Sequence, residues 1–551
     1  MLINNKIWLA QGNAACCLLL NQANRHGFIA GASGTGKTVT SKVMAEGFSQ
    51  AGIPVFMADV KGDMTGMAQA GELSDGLAKR FELFDLSADE FSFEGNPVRF
   101  WDMMADQGCP VRITISDMGP TMLARLLGLS DVQKGVLDIV FRIADDKQML
   151  LIDLKDLRAM LSYVSEHKDE YSDLYGNIAR QSVNAIQRSL ISVEDQGGDI
   201  FFGEPNLELS DWFAHAPDGR GYINILSATK LVQTPQLYAM FLLWMMSSLF
   251  DTLPEVGDLD KPRFIFFFDE AHLLFNDMPK ELRDKIVQVV KLIRSKGVGI
   301  YFITQSPNDI PNEVLAQLSN RVQHGLRAYT PAELKVLKAA AEGFRENPSF
   351  DSAQALEELA TGEALVSLLD EDGKPSIVER AWVLPPRCRM AAADPDIIDD
   401  AIDDQIEINE KYGVAIDRES AYEIIQGESA ASAERAALEA ERLAFEKEKE
   451  AFERQRQKEA EAAAKAQAKQ EERDARALER ELERQRKEAE RELERRQRAL
   501  EREAQAAAKK AEQEAERRKR QQERTVSTIF NTIGREAARQ ITRGIFGGLK
   551  R

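Results

Sequence analysis

Histidine and cysteine are scarce in this chain, five and four among 551 residues. Cys16, Cys17, Cys109 and Cys388 show no C-x-x-C spacing and stand apart from the histidines. That argues against a structural zinc site and fits a reducing, cytoplasmic setting. Long apolar runs are missing too. The longest, Leu237 to Phe250, is about 14 residues, a buried helix rather than a membrane span. The first residues lack a basic stretch followed by a signal core. Basic charge is also in deficit. The formal net charge is -19, and residues 1–430 hold 64 acidic against 39 basic side chains, a net of -25. A surface coated by nucleic acid is usually basic, so any DNA contact is expected on a local patch such as a pore. The length allows two or three domains.

What the chain does contain is Gly31-Ala32-Ser33-Gly34-Thr35-Gly36-Lys37-Thr38, the G-x-x-x-x-G-K-[ST] phosphate loop. Gly31, Gly34 and Gly36 let the backbone turn tightly and aim N–H groups at phosphate oxygens. Residues Gly31 to Val39, including Ala32, Ser33 and Thr35, are therefore expected to bind a nucleotide. Lys37 is expected on the β- and γ-phosphates, and the Thr38 hydroxyl on Mg²⁺. Gly27-Phe28-Ile29-Ala30 supplies a strand before the loop, and Val39 to Phe48 has helical spacing after it. No guanine-selecting N-K-x-D motif occurs, so ATP is expected.

Residues 1–22 read as a β-hairpin or edge strands, and 23–395 as the α/β domain carrying the loop. Ile53 to Ala58 is a second buried strand ending in Asp59-Val60-Lys61-Gly62-Asp63, expected beside the P-loop strand. Asp59 or Asp63 there either holds a metal-bound water or, for Asp63, caps a helix. Helical spacing from Pro120 to about Val193 marks an insertion over about 105–210. Phe264 to Phe268 is a nearly continuous apolar run, as in a parallel strand buried on both faces, and it ends in Asp269-Glu270. That is the second half of a P-loop ATPase site: Asp269 for the Mg²⁺ shell, Glu270 to orient and deprotonate water. A helix over 279–296 leads to the strand Gly299 to Thr304. Gln305 at its end is placed to touch the γ-phosphate or the attacking water. Strands at Asn320-Arg321-Val322 and Ala364 to Leu368 close a doubly wound, mainly parallel sheet.

Residues 396–427 read as an acidic linker with short helices. Residues 428–525 hold no Gly or Pro and are dominated by Ala, Glu, Lys, Arg and Gln. As one helix they would reach roughly 140 Å. Leu438, Phe445, Phe452, Leu478, Leu482, Leu493 and Leu500 allow a coiled coil, and the charge pattern equally allows a solvated single helix. In 526–551 an apolar stripe (Ile529, Phe530, Ile533, Ile541, Ile545) runs beside Arg535, Arg539 and Arg543. Such a helix docks on its own assembly, a protein partner or a membrane surface.

With these motifs in hand, the chain resembles the HerA/FtsK superfamily of P-loop ATPases. More closely it is similar to the bacterial HerA-like DUF853, or YjgR-type, family. The resemblance covers roughly residues 5–390 and rests on Asn24 to Ile29, the phosphate loop, Phe56 to Asp63 and Phe268 to His272. It implies a RecA-like, helicase-like ATPase, a homo-hexameric ring with ATP between subunits, and DNA as a partner. It also implies an arginine finger entering the neighbour's site, at Arg294 by position. The alternative for Arg294 is to complement its helix dipole. Arg25 and Arg321 are weaker phosphate-contact candidates. Two features depart from the pattern: only about 25 residues precede the P-loop strand, and the charged tail, open to protein partners, is an addition.

Overall fold

The computed structural model describes residues 2–84, 86, 91–230, 235–257, 259–275, 280–464, 479, 481–489, 492 and 496. It divides into two compact units, Met1–Ala433 and Glu434–Arg551. In the first unit the strands are, in chain order, β1 (Leu2–Ile3), β2 (Lys6–Gln11), β3 (Ala15–Leu19), β4 (Gly27–Ala30), β5 (Val55–Asp59), β6 (Val98–Asp102) and β7 (Cys109–Pro110). They continue as β8 (Ile223–Ser227), β9 (Phe264–Phe268), β10 (Val298–Thr304), β11 (Asn320–His324), β12 (Glu363–Ser367) and β13 (Glu379–Val383).

All join one sheet in the order β1-β2-β13-β12-β11-β4-β10-β9-β5-β8-β6-β7, with β3 on β2. From β11 to β7 every neighbouring pair is parallel. From β11 outward through β12, the pairs are antiparallel. The mixed α/β fold with a mainly parallel sheet is as expected, with two corrections. β12 does not close the sheet, because β13 and the β1–β3 strands extend it. β5 is not beside β4: β10 and β9 lie between them.

The apolar run of β9 is explained by its pleat. Phe264, Phe266 and Phe268 face one core with Phe56, Trp101 and the helix Pro235–Thr252. Ile265 and Phe267 face the other, with Val43, Phe48 and Ile303. With both faces covered there is no polar alternation to see. Each of these side chains contributes about 1.5–3 kcal/mol by leaving water.

The helix Lys37–Gln50 packs on the second face and buries two charges one turn apart. The Lys42 ammonium donates to the carbonyls of Arg389, Met390 and Ala391 at 2.8, 3.1 and 3.3 Å. The Glu46 carboxylate accepts from the Arg387 and Cys388 amides at 2.9 and 2.8 Å. Together they fasten the segment that follows β13 to this helix.

Between β7 and β8 lie the inserted helices Ile115–Leu126, Asp131–Asp146, Leu154–Glu166, Lys168–Tyr175 and Arg180–Val193. Gly119, at φ 70°, breaks the first just before Pro120. Residues 396–427 do form short helices, Pro395–Asp404 and Ile406–Tyr412, but these are packed down as a strap. The Gln405 amide accepts from the Phe100 N–H at 2.9 Å and donates to the Phe100 carbonyl at 3.0 Å. It thus stands in for the next strand where short β7 leaves β6 unpaired. Tyr412 packs edge-on against Trp101, and Ser420 donates to the buried Asp156 at 2.5 Å.

A helix runs Ala421–Ala464, and residues 481–489 are helical again. Leu438 and Leu482 are exposed, and Arg442–Glu446 and Lys487–Glu483 pair at i,i+4 spacing. Leu478, Leu493, Leu500 and the basic amphipathic segment 526–551 lie outside the described residues.

Candidate active site

The order β11-β4-β10-β9-β5 lines up the carboxyl ends of five parallel strands, where ligands sit in open α/β sheets. The loop after β4 is held by its neighbours. The Gly31 amide donates to the Thr304 carbonyl at 3.3 Å, and the Ala32 amide to the Gly325 carbonyl at 3.0 Å. Gly31 and Gly36 have φ 155° and 118°. A Cβ on Gly31 would lie 2.5 Å from that of His324, so the turn excludes any larger residue. Ser33 and Gly34 are exposed on its rim, Thr35 is buried, and Thr38 and Val39 are half-buried in the first helical turn. The Lys37 ammonium donates to the carbonyls of Gly31 and Ala32 at 2.7 and 3.1 Å, so it lies across the loop. Burial and the nearby Lys61 charge lower its pKa, against the pull of Glu270 and Asp269.

β10 separates the loop from β9, whose end carries the acidic pair. Asp269 is buried. One of its oxygens accepts from the Glu270 amide at 2.9 Å, and the other has no partner among the described residues. Burial, with Glu270 and Asp63 nearby, pushes its carboxyl up to about 7 despite Lys61. A buried carboxylate oxygen with nothing to bind fits a divalent cation, and the Thr38 hydroxyl supplies a second ligand type. Among the described residues no group of three or more His, Cys, Asp or Glu could hold a metal alone. That suits Mg²⁺, which takes one or two protein ligands and completes its shell with phosphate and water.

Glu270 has φ 47°, a left-handed conformation unusual for a residue with a side chain. One carboxylate oxygen meets the Lys61 ammonium at 2.6 Å. The other lies 3.2 Å from His272 Nδ1 and 3.4 Å from Gln305 Nε2. Burial alone would raise its pKa; Lys61, with help from His272 and Gln305, outweighs that and leaves it lowered. Gln305 is exposed at the end of β10.

The turn after β5 sorts its two aspartates. Asp59 is buried and accepts from the Gly62 and Met64 amides at 2.7 and 3.0 Å, so it builds the turn. Asp63 occupies the position before a short helix but makes no side-chain capping bond, and one of its oxygens is buried without a partner among the described residues.

The geometry thus gathers Lys37, Thr38, Asp269, Glu270 and Gln305 at one end of the sheet. Arg294 is elsewhere. The expected helix stops at Leu292, and Arg294 sits in the tighter turn Ile293–Lys296 before β10. The seven residues of β10 part it from Gln305, roughly 23 Å of strand. Arg25 precedes β4, likewise at the far end from the loop. Arg321 donates to the carbonyls of Leu318 and Gly343 and stacks over Phe28, which occupies its guanidinium.

A family model, helicase HerA-like C-terminal, matches residues 4–476. The chain belongs to the HerA-like C-terminal helicase family. A probable helicase of Methanocaldococcus jannaschii is 32% identical over 123 residues, which is 22% of either chain. The HerA-like chain therefore spans about a fifth of that curated relative. Among solved structures, the plasmid coupling protein TrwB in complex with a non-hydrolysable GTP analogue is 13% identical. That likeness covers 69% of this chain and 89% of TrwB, with a TM-score of 0.45. VirB4 of Thermoanaerobacter pseudethanolicus is also 13% identical, over 72% of this chain and 99% of its own, with a TM-score of 0.42.

Two residues of this HerA-like site carry no motif of their own. Lys61 is visible in sequence only as part of a turn. His324 ends β11, and its Nδ1 faces the Glu363 carbonyl at 2.8 Å, so Nδ1 carries the proton. Its Nε2 then accepts from Thr40 of the P-loop helix at 2.8 Å. Burial, with Lys37 nearby, lowers the His324 pKa to about 4, against the Glu363 carbonyl. An unfolded histidine titrates near 6.5, so its contribution to stability is full above about 6.5 and is lost as pH falls toward about 4. The loss amounts to at most about 3 kcal/mol. Chemical denaturation at pH 7 and 4.5 is expected to show the stability gap between wild type and His324→Gln narrowing on acidification. An unchanged gap would mean that burial does not lower the pKa of this ring.

Proposed function

We propose that this HerA-like protein binds and hydrolyses ATP as a ring-shaped homo-hexameric motor that moves DNA. The observation that carries the reading is the convergence of Lys37, Asp269, Glu270 and Gln305 at the carboxyl ends of β4, β9 and β10. In this reading residues Gly31 to Val39 wrap the phosphates and Lys37 bonds the β- and γ-groups. Thr38 and Asp269 would hold Mg²⁺, which would neutralise charge on the phosphate oxygens. Glu270 takes a proton from water as that water attacks the γ-phosphorus and the bond to ADP breaks, and Gln305 orients the water. Arg294 serves the site of a neighbouring copy, since its own lies a strand length away. Within the family, the Phe56 to Asp63 and Phe268 to His272 stretches favour the DUF853 branch.

The cytoplasm is the proposed location. All four cysteines are free thiols, and no helix among the described residues is long and apolar enough to cross a membrane. The net charge of -25 on residues 1–430 favours a second reading, an ATP-switched scaffold offering helical arms to protein or membrane partners.

The two part on one experiment. ATP turnover is measured with and without duplex DNA at low salt, then at rising salt. A motor on DNA predicts several-fold stimulation that fades between about 50 and 200 mM salt, because phosphate contacts release counterions. Equal rates with and without DNA at low salt would contradict the motor and leave the scaffold.

A further inference from the structure

Glu270 is unusual among the site's groups in how it is held. Its backbone sits at φ 47°, so neither a regular helix nor a strand fixes the direction of its side chain. The side chain is fixed from outside, and unequally. The oxygen that meets Lys61 at 2.6 Å has a short, charge-assisted contact. The other has only the longer contacts to His272 and Gln305, at 3.2 and 3.4 Å. A carboxylate so held keeps one oxygen occupied and presents the other.

Lys61 reaches Glu270 from a different element. β5 is paired with β9 directly, Ala58 opposite Phe268, so the turn after β5 stands beside the end of β9. That turn is built rather than loose. Asp59 spends both carboxylate oxygens on its amides, and Gly62, at φ 83°, closes it. Lys61 is half-exposed, and among the described residues its ammonium makes its ion pair with Glu270.

We infer that Lys61 is a positioning residue for ATP hydrolysis, fixing one oxygen of Glu270 so that the other faces the attacking water. The inference rests on the ATPase reading above and adds the turn after β5 to the catalytic apparatus. Asp59 acts one step further back, by shaping the turn that carries Lys61.

The test uses the full chain with Mg²⁺ and ATP. Lys61→Met is expected to lower kcat on the order of tenfold, the scale of a misdirected catalytic group, with KM for ATP unchanged. Lys61→Arg, which keeps the charge, is expected to recover part of the loss. In a Glu270→Gln background, followed in single turnover, Lys61→Met is expected to add nothing further. An unchanged kcat in Lys61→Met would overturn the inference. So would a raised KM with the same loss persisting in the Glu270→Gln background, since Lys61 would then act on the phosphate. A Glu270→Gln chain as active as wild type would also overturn it, whereas a wild-type chain that does not turn over ATP with Mg²⁺ would instead sink the ATPase reading itself.

Discussion

Glu270→Gln is expected to lower kcat about a thousandfold while ATP still binds. The size follows from removing a general base, typically worth 10² to 10⁴ in rate. An amide has the same shape but cannot take the proton of the attacking water. Its oxygen can still accept from Lys61, so the contact at 2.6 Å that ties the turn after β5 to the end of β9 survives in weaker form. Lys37 and the glycine loop are untouched, so affinity should hold and the complex should persist unhydrolysed. Phosphate release together with equilibrium ATP binding checks both halves. A variant within tenfold of wild type would remove Glu270 from the role of base.

Arg294→Ala is expected to cost about 10³ in kcat, the scale of losing an arginine finger. The reason is positional. Arg294 stands in the turn Ile293–Lys296, with all of β10 between it and Gln305, so it cannot reach its own site. If it serves a neighbour, mixing matters. Arg294→Ala chains have an intact phosphate loop, and Lys37→Ala chains have an intact arginine. Each is expected to be nearly inactive alone, and the mixture to regain part of the activity. A full rate in Arg294→Ala would leave it the bland role of complementing the carbonyl end of its helix.

Much of this site was legible because its signals are local. The glycine spacing from Gly31 to Gly36 prescribes positive φ at fixed steps, and all three glycines have it. The five apolar residues of β9 can run without interruption only in a strand covered on both faces. What failed was whatever depends on which distant strands become neighbours. Nothing local in Ile53 to Asp59 says that β10 and β9 intervene between β5 and β4. Choosing between Asp59 and Asp63 needed the amides of Gly62 and Met64, which bond to Asp59, while a buried oxygen of Asp63 has no partner among the described residues.

The stretch 396–427 reads as an acidic linker with short helices, and it does form them; what composition does not show is that they pack down through a few contacts: the Gln405 amide on Phe100, Tyr412 on Trp101, and Ser420 on Asp156. Such contacts leave no periodic trace. His324 and Lys61 escaped likewise, one polar residue ending a strand and one in a turn. Their partners Thr40 and Glu270 lie more than 200 residues away in the chain.

The most direct measurement is a single turnover by the unaltered full chain. Labelled ATP is bound without metal, and Mg²⁺ is then added with an excess of unlabelled ATP. The site described here predicts that bound label is released as phosphate in wild type, while Lys37→Ala neither retains ATP nor releases phosphate. Wild type that fails to retain ATP, or Lys37→Ala that releases phosphate at the wild-type rate, would contradict it.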